Sequence, residues 1–186
     1  MAIRHNFRNI LLLGAITVAA GLGASNTLPA NEKLTMNVEG KGKIVIELYT
    51  AEAPNATQHI MGLAQKGFYN DQKFFRVMKD PRPFLVLFGD PGSKTKSMDD
   101  PTLGEGGSGT RIAYENSGKK NVKGAVGLST KPRDKNSGDS QFYILLDDKP
   151  FLDGQYTVFG QVVQGMDIVS RIEVGDKVTS VTISRG

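Results

Sequence analysis

Gly138-Asp139-Ser140-Gln141-Phe142-Tyr143-Ile144-Leu145-Leu146, followed at short range by Pro150-Phe151-Leu152-Asp153-Gly154-Gln155-Tyr156-Thr157-Val158-Phe159-Gly160, decides how the chain is read. An apolar run with alternating side chains, a glycine-containing turn and a second run of β-branched and aromatic residues predict two strands joined by a connection. The polar pair Ser140-Gln141 stands at the mouth of the first strand. It is either the ending of a turn or a set of hydrogen-bonding groups facing a ligand.

Upstream, residues 34–38 and 43–49 alternate apolar and polar around Glu39-Gly40-Lys41-Gly42, a hairpin signature. Leu34, Met36 and Val38 share one face of the first strand, and Ile44, Ile46 and Leu48 one face of the second. Pro54 opens a helix over residues 54–66, with Ile60, Leu63 and Ala64 at helical spacing and Gly67 after its end. His59 lies within it and reads as an ordinary helix residue rather than a catalytic base. Phe74-Phe75-Arg76-Val77-Met78 is a short strand carrying one arginine. A guanidinium inside a strand is costly without partners, so Arg76 either faces outward or sits at a pocket edge.

The apolar run Phe84-Leu85-Val86-Leu87-Phe88 ends at Gly89-Asp90-Pro91-Gly92. Residues 91–109 are almost free of apolar side chains and form a long surface loop, a length that points to function or mobility. The glycines from Gly104 to Gly109 lack the strand–loop–helix setting and the Lys-Ser/Thr pair of a phosphate-binding loop, so no nucleotide site is expected. Residues 123–129 return to strand character, 130–139 form a second polar loop, a short helix follows from about Met166 to Ile172, and 178–183 close the chain as a strand. The sum is about eight strands and two helices, without an internal repeat or a second domain.

Composition narrows the chemistry. The 186 residues are 39% apolar, with 22 glycines and eight prolines, which suits many turns and short strands. Cysteine is absent and the histidines are two, His5 and His59, too few for a zinc site. Arg4 and Arg8 supply two of the four net positive charges, so the remainder is close to neutral and gives no argument for nucleic-acid binding. Those arginines precede an apolar stretch from Ile10 to about Ala24, and no acidic residue appears before Glu32. This predicts a targeting segment over residues 1–30 ahead of a domain over 31–186. A cleaved signal peptide, with Gly23 and Ser25 or Gly21 and Gly23 as the small residues of the cleavage site, gives an exported, periplasmic protein. The alternative is an uncleaved membrane anchor.

The block Ser140-Gln141-Phe142-Tyr143-Ile144, with Leu152-Asp153-Gly154 and Val158-Phe159-Gly160 behind it, resembles that of the cyclophilin-type peptidyl-prolyl isomerases. Ala53-Pro54 and Lys66-Gly67-Phe68-Tyr69-Asn70-Asp71 resemble the surroundings of their first helix, and the likeness runs from about residue 36 to residue 184. The resemblance implies a mainly β fold, a closed eight-stranded antiparallel barrel capped by two helices. It implies Arg76 as the catalytic arginine and Phe84, Leu85, Tyr143 and Leu152 as the proline pocket. Gln141 matches a substrate-contacting glutamine. Phe151 stands where many eukaryotic members have tryptophan, and Tyr156 where many have histidine. Two departures stand out: Leu87 occupies the place of a glutamine that orients the arginine, and the link Met78-Lys79-Asp80-Pro81-Arg82-Pro83 is longer than usual.

The implied chemistry is rotation about a prolyl bond, with a barrier of about 18–20 kcal/mol and no covalent bond made or broken. An apolar pocket and one hydrogen-bond donor suffice, so no cofactor and no metal are expected. The implied partners are proline-containing segments of unfolded or partly folded exported proteins, bound by a monomer acting as a folding catalyst. Leu87 predicts reduced activity; the alternative function is a chaperone or proline-peptide binding module of the same fold with little catalysis.

Overall fold

The computed structural model describes Met1 and residues 32–185. The expected signal or anchor segment lies outside the described residues, apart from Met1. Nine strands and two α-helices occur among the described residues: β1 (Glu32–Val38), β2 (Gly42–Leu48), α1 (Pro54–Gln65), β3 (Gln72–Lys73), β4 (Arg76–Met78), β5 (Leu85–Phe88), β6 (Ala125–Leu128), β7 (Phe142–Leu145), β8 (Val158–Gln164), α2 (Met166–Ser170) and β9 (Lys177–Arg185). They form one antiparallel sheet in the order β3-β9-β1-β2-β8-β6-β7-β5-β4.

The count of nine and the expected eight are reconciled at the ends of that sheet. Its terminal strands, β3 and β4, are consecutive in sequence and separated only by Phe74 and Phe75. Gln72 pairs with Val178 and Lys73 with Lys177 on β9, while Arg76 pairs with Leu87 on β5. Between them the Phe74 amide donates to the Asp176 carbonyl at 3.0 Å and the Phe75 amide to the Leu87 carbonyl at 3.3 Å. Residues 72–78 are thus one strand that changes partners at Phe74-Phe75, and through it the curled sheet closes. Closure leaves no long free edge.

Period-two patterning fills the interior. Leu34 and Met36 lie opposite Ile46 and Ile44, and all four are buried. Val86 and Phe88 of β5 point into the same core, where Phe88 meets Phe74 and Phe142 at ring separations of 5.1 and 5.5 Å. Ile60 and Leu63 of α1, and Ile168 and Val169 of α2, pack into this cluster from the two helices. The other face of β5 does different work: Leu85 and Leu87 join a second, smaller apolar cluster outside that core.

The N-terminus of α1 needs a cap its own sequence does not provide, because its N-cap residue is Ala53. Glu115, distant in the chain, supplies it. Its carboxylate accepts from the Asn55 amide at 3.0 Å and the Ala56 amide at 2.8 Å.

Candidate active site

Antiparallel register builds the site. Arg76 on β4 faces Leu87 on β5, Leu87 faces Tyr143 on β7, and Tyr143 faces Gly127 on β6. Directly opposed residues share a face, so these four form one row on the outside of the barrel. The long link after β4 does not disturb the row. Its extra residues lie beyond the last ladder pair, Met78 with Leu85, and the Phe84 amide donates to the Met78 carbonyl at 2.9 Å.

Leu87 divides the site into two parts. On one side lies the second apolar cluster, with Leu85, Tyr143 and Leu152 buried and Phe84, Leu87 and Tyr156 at its partly open edge. Phe151 stands at the rim, 68% exposed, its ring centroid 6.2 Å from that of Phe84. The Tyr156 ring meets the Tyr143 ring edge-on at 5.7 Å. The resemblance implies a proline pocket at Phe84, Leu85, Tyr143 and Leu152, and the fold brings these four together with Phe151 and Tyr156.

Tyr143 is only 3% exposed, and its hydroxyl turns away from solvent to donate to the Asn121 side-chain oxygen at 2.7 Å. The ring passes so close over Gly127 that a Cβ there would stand 2.2 Å from the hydroxyl oxygen. Gly127 is therefore glycine for close approach. Burial, then the neighbouring Tyr156 and Asp153, push the Tyr143 hydroxyl well above the ordinary tyrosine value, so it stays protonated. Tyr143 offers the pocket an apolar ring face.

On the other side of Leu87 opens a cavity of about 1010 Å3, which Arg76, Leu87 and Gln141 all line. Arg76 is exposed, and its guanidinium makes no hydrogen bond or ion pair among the described residues. Gln141 is half-buried and fixed: its Nε2 donates to the Gly106 carbonyl at 2.6 Å. With the amide so engaged, its Oε1 remains as an acceptor. Ser140 resolves the other way, as a structural residue. It is buried, its Oγ donates to the Gly89 carbonyl at 2.7 Å, and its own carbonyl accepts from the Tyr69 hydroxyl at 3.0 Å.

The glycine-rich end of the long loop forms a wall of this cavity, which the sequence marked by length but not by role. Asp90, 1% exposed, shapes it by accepting from the amides of Gly92 at 2.7 Å, Gly104 at 2.6 Å and Gly106 at 3.2 Å. A Cβ on Gly106 would stand 2.4 Å from the Asp90 carboxylate. Asp90 thus sets the carbonyl that holds Gln141.

A further group lies beside the loop. Asp139 accepts from Ser108 Oγ and from the Gly109 amide at 2.9 Å, and the His59 Nε2 lies 3.3 Å from it. Ser108 approaches that same nitrogen at 3.5 Å. A serine–histidine–aspartate relay requires its two partners on opposite ring nitrogens, so this cluster is a tether and no nucleophile. His59 is a helix residue that fastens a loop to α1.

Residues 33–185 match the family described as cyclophilin type peptidyl-prolyl cis-trans isomerase/CLD. A protein of Brucella suis named probable peptidyl-prolyl cis-trans isomerase is 37% identical over 177 residues, covering 92% of this chain and 88% of its own. A peptidyl-prolyl cis-trans isomerase of Helicobacter pylori is 34% identical over 148 residues, covering 77% of this chain and 82% of its own. In fold, the chain resembles a cyclophilin type peptidyl-prolyl cis-trans isomerase of Cryptosporidium parvum solved in the presence of the dipeptide Ala-Pro. The TM-score is 0.70 at 20% identity, with 83% of this chain and 99% of that chain covered.

Proposed function

The chain belongs to the cyclophilin-type family and is a peptidyl-prolyl cis-trans isomerase, and from that premise we propose that Arg76 is its catalytic group, working beside a pocket that takes the proline ring. The observation that carries this reading is the row Arg76, Leu87, Tyr143, which sets a guanidinium without a partner among the described residues at the edge of an apolar cluster. The proline ring packs on Tyr143 and Leu85, with Phe84, Phe151, Leu152 and Tyr156 around it. The Gln141 Oε1 accepts from a backbone amide of the bound segment and fixes its direction. The Ala-Pro dipeptide present with the Cryptosporidium relative supports a proline-containing segment as the ligand here.

Rotation takes the amide through a twisted state in which resonance is lost and the nitrogen regains its lone pair. A donor aimed at that nitrogen binds the twisted state more strongly than either planar one, and this difference lowers the barrier. No proton is transferred, so the protonation state of Tyr143 does not enter the step.

Two further features belong to the proposal. Activity is lower than in a relative with glutamine at the place of Leu87, because nothing in the described residues aims the Arg76 side chain. The substrates are exported proteins, a reading supported by Arg4, Arg8 and the apolar stretch from Ile10 to Ala24. Leu87 also favours a second reading, a binding module that holds prolyl segments with little catalysis.

Exchange spectroscopy on a proline peptide, with affinity measured on the same peptide, separates the two. Isomerisation accelerated at catalytic enzyme concentration is expected; binding without acceleration overturns the catalytic reading. For export, N-terminal sequencing of protein from the producing cell is expected to start near residue 25, and intact Met1 in the soluble cytoplasmic fraction overturns it.

A further inference from the structure

We infer that the enzyme prefers prolyl segments with a carboxylate side chain two to four residues from the proline, received by Lys131 and Arg111 across the open cavity; this rests on the isomerase reading above. The cavity of about 1010 Å3 reaches the upper end of the roughly 300–1,000 Å3 usual for small-ligand pockets, and the proline ring is accounted for by the separate apolar cluster. What remains is room for flanking residues. Arg76 lines one side of this room from β4, and Lys131 lines another just after β6. Three strand intervals separate β4 from β6. At about 4.8 Å each they span on the order of 14 Å, three to four residues of extended chain. The reach of the two side chains shortens this to two to four.

Charge makes the room selective. Five ionisable side chains line it: Arg76, Arg111, Lys131, Glu105 and Asp139. Asp139 is already engaged by Ser108, His59 and the Gly109 amide. Among the described residues Arg111 is paired only with Asp134, a pair with both side chains well exposed and so weakly held. The Lys131 ammonium has no partner among the described residues, and Arg76 has none either. Glu105, exposed at the rim, is the remaining opposing carboxylate. Lys131 does not wander with its loop. Its amide donates to Ser137 Oγ at 2.7 Å and its carbonyl accepts from the Asp134 amide at 3.1 Å, closing a tight turn. The floor beneath, Phe75 and Leu103, is apolar and buried, so an ion pair above it is only partly solvated.

The test is a peptide series with one proline and Glu, Gln or Lys placed in turn two to four residues to either side. Isomerisation by the 186-residue protein is read by exchange spectroscopy and affinity by fluorescence anisotropy. On one side of the proline, Glu is expected to exceed Lys by about three- to tenfold with Gln between, the gap narrowing in about 0.5 M salt. Lys131→Glu is expected to reverse the order of the Glu and Lys peptides, whereas Lys43→Glu, the same change of net charge on β2, keeps it. Equal values at every position, or an order that survives Lys131→Glu, overturns the inference. If no peptide is isomerised, the isomerase reading fails by itself. The anisotropy series still decides this one: Glu binding more tightly than Lys supports it, and equal affinities overturn it.

Discussion

Arg76 and Leu87 face each other across one ladder pair, and the proposed mechanism depends on what that pair can do. Leucine fills the space of a glutamine but offers no oxygen to accept from the guanidinium. Among the described residues nothing holds the guanidinium in place, and a misplacement near 1 Å costs on the order of a hundredfold. Leu87→Gln is therefore expected to raise kcat/KM, by up to about that factor, while peptide affinity stays nearly constant. No gain in the isomerisation assay means that the bound peptide itself, or another group, already aims Arg76. Tyr143 makes a complementary case. Removing its hydroxyl with Tyr143→Phe leaves the buried Asn121 oxygen without its partner, at a cost of roughly 1–3 kcal/mol, yet the ring proposed to face the proline is unchanged. Denaturant unfolding is expected to register the loss while kcat/KM stays close to that of the parent; a large fall in kcat/KM with stability unchanged would contradict the division of roles. Arg76, Leu87 and Tyr143 of this row were marked in the sequence by the family resemblance, and Gly127 was not. That Leu87 lies between an apolar cluster and an open cavity was not, because only strand register reveals it.

Elements are held by partners far away in the chain, and this is where sequence reading ran short. The α1 boundaries follow from Pro54 and Gly67, but its cap is Glu115, some sixty residues on, inside a stretch with no periodicity to read. Glu115→Ala is expected to cost about 0.5–2 kcal/mol in denaturant unfolding, the range for a lost helix cap. An unchanged midpoint would show that solvent caps α1 equally well. The long loop behaves alike. Its length signalled a role, yet its shape comes from Asp90, buried among three glycine amides, and from Asp139, tied to His59 across eighty residues. The segment over residues 72–78 shows the same limit. Local pattern marks one short strand over Phe74–Met78, and only the pairing with β9 at one end and β5 at the other reveals that it begins at Gln72 and closes the barrel.

At the scale of the whole molecule, the barrel is a frame that buries aromatic side chains and presents Arg76 beside an apolar surface. Two of the buried rings make its stability sensitive to alkali. Desolvation raises the hydroxyls of Tyr69 and Tyr143 above the ordinary 10.0, for Tyr69 with a further contribution from Asp139. The native state thus keeps protons that the unfolded chain releases above about pH 10, and stability is full below that pH and falls as it is passed. Unfolding free energies measured from pH 9 to 11.5 are expected to decline, with a shallower slope for Tyr143→Phe; a flat profile would contradict the burial of these groups. The same frame predicts that function and stability part company at Arg76, which is exposed and makes no hydrogen bond or ion pair among the described residues. A charged hydrogen bond made only to the twisted amide is worth about 1.5–3 kcal/mol. The decisive measurement is kcat/KM for isomerisation of a proline peptide by the parent protein and by Arg76→Ala, with melting curves recorded in parallel. The expected result is a loss of roughly ten- to a hundredfold in rate at an unchanged melting temperature, and undiminished isomerisation by Arg76→Ala would contradict the account.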